Sequence, residues 1–114
     1  MTQLTINIPQ GSLSFNFTPD GAKQLQQEIS NLMQSLKASA TRDPNSGSRP
    51  QPQKSMEYRY TGEIFLEIFC NPNIYPSPFA AKILLTMRDE RIRITTEVEL
   101  TQLVDDLNSY LERV

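Results

Sequence analysis

Histidine and tryptophan are missing from this chain of 114 residues, which has a single cysteine, Cys70, and four glycines. The missing histidine excludes most. Without imidazole there is no Ser-His or Cys-His couple and no His-ligated zinc. One thiol cannot close an intramolecular disulfide, and a lone cysteine fits a reducing compartment. The four glycines fall in no GxGxxG or GxxxxGK spacing, so no glycine-rich loop is available to cradle phosphates. No apolar run approaches the ~20 residues of a membrane span. Met1 to Ile8 alternates instead of placing an apolar stretch after a basic one, so no signal peptide is expected. A net charge of −2 gives no general pull toward nucleic acid or an anionic membrane. These features predict a cytoplasmic protein with no membrane association, no cofactor, no metal site and no catalytic residues.

What is present reads as one α+β domain over residues 1–114, with 38% hydrophobic and 21% charged residues. Leu4, Ile6 and Ile8 alternate with polar residues, Pro9 to Ser12 is turn chemistry, and Leu13, Phe15 and Phe17 alternate again, which predicts a hairpin. Thr18-Pro19-Asp20 supplies a capping hydroxyl, a proline at the first helical position and an acid in the first turn. Ala22, Leu25, Ile29, Leu32, Met33 and Leu36 then recur at helical steps. Residues 41–55 hold no aliphatic, aromatic, Cys or Met side chain. Such a run cannot bury enough to offset its ordering entropy, so a flexible Pro/Ser/Gln-rich linker is expected there.

Met56 to Cys70 alternates as one long central strand with a bend or bulge at Gly62. Ala81 to Met87 and Ile92 to Thr95 form a second predicted hairpin around a charged turn. Thr96 to Glu99 matches a capping box ahead of a second helix, whose stripe is Leu100, Leu103, Val104, Leu107, Tyr110 and Leu111. Asp105 and Asp106 point about 100° apart on that helix and read as its solvated side. Both ends of the chain thus run strand, strand, helix. The expected architecture is a mostly antiparallel five-stranded sheet in ββα-β-ββα order, with both amphipathic helices on one face.

Three features are candidate sites. Phe65 and Phe69 lie on the opposite parity from Ile64, Leu66 and Ile68, so a sheet with helices on one face turns these two rings outward, toward a partner or a second subunit. The loop Asn71 to Phe79 is stiffened by Pro72, Pro76 and Pro78 and offers Ile74, Tyr75 and Phe79 for contact at low ordering cost. Arg88, Arg91 and Arg93 concentrate positive charge within reach of a phosphate backbone, although Asp89 and Glu90 sit among them. Cys70 ends an apolar parity and reads as a small buried hydrophobe. The expected function is a non-catalytic protein–protein interaction or adaptor module, with a homodimer as one form of it. A nucleic-acid-binding accessory protein using the arginine hairpin is the alternative, and a small-ligand carrier or enzyme ranks behind both.

Overall fold

The computed structural model describes residues 2–40 and 52–114. Among these residues six strands and two helices follow in the order β1 (Gln3–Ile8), β2 (Gly11–Asn16), α1 (Pro19–Ala40), β3 (Met56–Thr61), β4 (Phe65–Cys70), β5 (Lys82–Arg88), β6 (Arg93–Glu99) and α2 (Leu100–Arg113), with a short 3-10 turn at Pro72–Ile74. The chain is α+β, but not around a single five-stranded sheet. β1 and β2 pair as a two-stranded sheet, and β3, β4, β5 and β6 form a separate four-stranded antiparallel sheet in that order.

The predicted long central strand is the main correction. Met56 to Cys70 folds back on itself as the β3–β4 hairpin, with Tyr58 opposite Ile68 and Thr61 opposite Phe65. Gly62, Glu63 and Ile64 form its turn, closed by the Gly62 amide donating to the Ile64 carbonyl at 3.0 Å. A straight strand of that length would reach about 50 Å, well past the usual 3–10 residues of a strand. A Cβ on Gly62 would stand 2.6 Å from the Tyr60 hydroxyl, so the close turn depends on the missing side chain.

Helix α1 starts as its sequence dictates: Thr18 Oγ1 accepts from the Gly21 amide at 3.0 Å, and Pro19 occupies the first turn. Helix α2 does not. Thr96 lies inside β6 opposite Leu85, and the helix begins at Leu100 with no side-chain cap from Glu99. The Leu100 amide, one of the free donors of the helix's first turn, instead donates to the Ala81 carbonyl at 3.1 Å.

The buried stripes of both helices, Leu4 and Ile6 of β1, and the inward residues of the four-stranded sheet join one core. Polar clasps fix its layers. Tyr58 donates to the Gly21 carbonyl at 2.8 Å, tying β3 to α1, and Tyr110 donates to the Phe17 carbonyl at 2.6 Å, tying α2 to the end of the first hairpin. Phe17 also meets the Tyr60 ring edge-on at 4.7 Å. Asp106, expected in solvent, is buried: its carboxylate accepts from the Asn7 amide and from Asn7 Nδ2, both at 2.8 Å, and from Gln102 Nε2 at 3.0 Å. Among the described residues no helix is long and apolar enough to cross a membrane. Residues 41–51 of the expected linker lie outside the described residues. Just after them Gln53 is held on both sides, its amide donating to Asn73 Oδ1 at 2.7 Å and its carbonyl accepting from Asn73 Nδ2 at 2.8 Å.

Candidate interaction surface

Along the strands of the four-stranded sheet, residues alternate between a core-facing side and a more exposed one. Leu66, Ile68 and Cys70 of β4 are buried, as are Ile83 and Leu85 of β5 and Val98 of β6. Their neighbours point away from the core. Cross-strand pairing arranges those outward residues in rows. Thr61, Phe65, Arg88 and Arg93 form one row; Arg59, Glu67, Thr86 and Thr95 the next; Glu57, Phe69, Leu84 and Glu97 the third; Lys82 and Glu99 lie beyond it. Successive rows stand about 6.7 Å apart, two strand residues.

Phe65 and Phe69 are therefore where parity placed them, half-buried on the outward face. The Arg88 guanidinium lies 4.5 Å from the centre of the Phe65 ring, a cation–π contact that leaves part of the ring open. Arg59 pairs with Glu67 at 3.4 Å in the middle row, and Thr86 and Thr95 hydroxyls meet at 3.3 Å beside it. Leu84, 44% exposed, extends the apolar patch from Phe69 toward β6. Sequence reasoning missed Leu84. Its signal was present, since Leu84 shares parity with Lys82, Thr86 and Arg88 and so belongs to the polar side of β5.

The proline-rich loop adjoins the same end of the face. Asn71 Oδ1 accepts from the Asn73 amide at 3.0 Å and caps the 3-10 turn, Pro72 is buried, and Asn73 is clasped by Gln53. Phe69, Ile74, Tyr75, Lys82, Leu84 and Glu97 line a shallow depression of about 160 Å³. Phe69 of the strand and Ile74 and Tyr75 of the loop are thereby brought together. Burial raises the Tyr75 hydroxyl pKa, with Cys70 and Glu97 adding to the rise and a hydrogen bond with the Lys82 backbone opposing it. The hydroxyl stays a neutral phenol. Ile74 is 66% exposed. Phe79 is 86% exposed on the turn that follows, and it is not among the residues lining the depression.

The arginines divide. Arg88 and Arg93 are cross-strand partners on the outward face. Arg91 sits in the turn, where its amide and that of Ile92 donate to Asp89 Oδ1 at 2.7 and 2.9 Å. Those two backbone donors hold the Asp89 carboxyl pKa below its usual value. A hollow of about 560 Å³ beside this turn is walled by Arg88 and Arg91 but equally by Glu63, Asp89 and Glu90, so its charge is mixed. Cys70 is 1% exposed and burial pushes its thiol pKa up to about 11. Among the described residues no group of three or more His, Cys, Asp or Glu side chains is arranged to hold a metal ion. No protein-family model matches this chain, and no curated protein and no solved structure is significantly similar to it.

Proposed function

We propose that this protein is a non-catalytic interaction module of the cytoplasm, and that its contact surface is the outward face of the four-stranded sheet with the adjoining Ile74–Tyr75 loop. One observation carries the reading: Phe69, Leu84, Ile74 and Tyr75 gather at one end of a sheet face that no described helix covers. Contiguous apolar side chains on a flat exposed face are a liability unless a partner covers them. The loop is pinned through Asn71 and Asn73, so presenting Ile74 and Tyr75 costs little ordering entropy on binding. Phe79 offers a further exposed ring at the margin.

The nucleic-acid alternative rests on Arg88 and Arg93 standing side by side next to Phe65. It is the weaker reading, because Asp89, Glu90 and Glu63 crowd the same end and the chain as a whole is acidic. A photo-reactive amino acid at Leu84, with one at the exposed Lys23 of α1 as control, tests the proposal in the cell. Cross-linked protein from position 84 and none from position 23 is the expected result. Absence of any adduct at position 84 overturns the contact surface, and adducts to nucleic acid would favour the arginine reading.

A further inference from the structure

We infer that the partner seated on this face is a second copy of the chain, stacked face to face with its strands running the opposite way. The inference rests on the outward face being the contact surface. What selects the occupant is the charge order along the strands. The end of the face at the β5–β6 turn carries Arg88, Arg93 and Arg91 with Glu63, Asp89 and Glu90 around them; the other end carries Glu57, Glu97 and Glu99 with Lys82. The middle row contains Arg59 and Glu67, already neutralised against each other at 3.4 Å.

A two-fold axis lying along that middle row superposes each strand on its own counterpart and exchanges the two ends. Phe65 then faces Phe69 of the other copy, and Arg93 faces Glu97. One step further out, Arg91 and Glu90 of the turn come over Glu99 and Lys82 of the other copy. These three charge contacts are of opposite sign and symmetry makes each occur twice; on the axis Arg59 and Glu67 face their own counterparts, and their pairing within each sheet at 3.4 Å offsets that like-charge contact. The competing two-fold, along the strands, exchanges β3 with β6 and β4 with β5: Glu57 then meets Glu97 twice, while Arg93 meets Thr61 and Arg88 meets Phe65. That arrangement has like-charged pairs and no opposite-sign pair among the strand residues to offset them. Packed sheets are rotated by about 30°, which moves the flanking pairs by a few ångströms and leaves them within the reach of Arg and Glu side chains.

The size of the face sets the strength. Four strands at ~4.8 Å spacing and six or seven residues in length cover about 400 Å² per subunit. The total of ~800 Å² is below the ~1,200 Å² of standard interfaces, so the association is weak and transient. A small net charge of −2 does not oppose it.

Charge reversal on the pure full-length chain tests the arrangement, read by sedimentation equilibrium over a wide concentration range. Arg93→Glu and Glu97→Arg should each raise the dimer dissociation constant about tenfold or more, since each places two like-charged pairs in its own dimer. An equimolar mixture of the two variants should dimerise where neither does alone, because in the mixed dimer both pairs are again opposite in sign. Both positions are exposed, and unchanged thermal melting will exclude misfolding as the cause. A parent chain that stays monomeric at several hundred micromolar overturns the second-copy inference. So does a dimer indifferent to both reversals, or a mixture no better than its components. The photo-cross-link at Leu84 separates this failure from failure of the surface itself: an adduct to a different protein keeps the surface and removes the homodimer, and no adduct removes both.

Discussion

Asp106 gives the sharpest test of how the two halves of the chain are joined. The residue is 8% exposed and its carboxylate takes three hydrogen bonds, two of them from Asn7 on β1, ninety-nine residues away in sequence. Asp106→Ala removes an ionised acceptor and leaves the Asn7 amide and carboxamide without a protein partner. Hydrogen bonds to charged groups contribute roughly 1.5–3 kcal/mol each but do not add, and Asn7 is exposed enough for water to replace part of the loss. The expected cost is about 2–4 kcal/mol, a large share of the ~5–15 kcal/mol that stabilises a typical domain. Asp106→Asn keeps one acceptor but turns an amide donor toward donors, and should cost about 1–2 kcal/mol. Urea unfolding followed by circular dichroism measures both, with Asp105→Ala, at an exposed position on the same helix, as the reference expected within ~0.5 kcal/mol of the parent. If Asp106→Ala proves no worse than Asp105→Ala, the clasp is not a stabilising contact and the docking of α2 on β1 rests on apolar packing alone.

The two threonines that look like helix caps should behave differently: Thr18→Ala should cost about 0.5–2 kcal/mol and Thr96→Ala under ~0.5 kcal/mol, measured in the same unfolding assay, and the reverse order would place the α2 start at Thr96. Gly62→Ala should cost about 1–3 kcal/mol, because the new Cβ meets the Tyr60 hydroxyl at 2.6 Å and its ring carbons at 2.8 and 2.9 Å, and that ring is packed on Phe17; a neutral substitution would show that the hairpin turn can relax. Burial raises the Cys70 thiol from 9.0 to about 11 and the Tyr58 hydroxyl from 10.0 to about 12. Both groups bind their protons more tightly folded than unfolded. Their contribution is whole below pH 9 and is lost as pH rises through 9–11 for Cys70 and 10–12 for Tyr58. Cys70→Ala should flatten the lower part of that decline, and rapid labelling of Cys70 by a thiol reagent at pH 8 in the folded protein would contradict its burial.

Periodicity carried much of the fold. The first hairpin, the Thr18 cap and both helical stripes follow from alternation and three-four spacing, because those signals are local. The division into two sheets depends on which strand edges meet across the chain, and no local pattern encodes that. The Met56–Cys70 run was misread on length: fifteen residues with a central Thr-Gly-Glu exceed a normal strand, and Gly62 marks a turn more readily than a bend. Thr96 to Glu99 spells a capping box, yet β6 extends through it because Val98 fills the core opposite Ile83 and every residue to Glu99 finds a ladder partner on β5. Tertiary pairing overrode a local motif. Asp106 was read together with Asp105 as the solvated side of α2, and nothing in either residue announces the distant Asn7.

The outward placement of Phe65 and Phe69 held although the long strand on which it was argued does not exist. The reason lies in the pairing. Residues opposite one another in β3 and β4 have numbers that sum to 126, as for Met56 with Cys70 and Thr61 with Phe65. An even sum means that paired residues share parity, and directly paired residues share a face. The three-residue turn at Gly62–Ile64 thus folds the run in two while keeping every even position on the buried side and every odd one outside. A turn one residue longer or shorter would have set β4 against β3 with opposite parities and buried the two rings. The same arithmetic continues across the sheet: β4 and β5 partners sum to 153, which is odd, so the outward set switches to even numbers in β5 and captures Leu84 and Arg88. β5 and β6 sum to 181, also odd, and the outward set returns to odd numbers, capturing Arg93 and Glu97. The face is legible strand by strand, but joining Phe69 to Leu84 and Arg88 to Arg93 requires the β4–β5 and β5–β6 register sums, which only the folded chain supplies, and the charge order on which the proposed self-association turns depends on them.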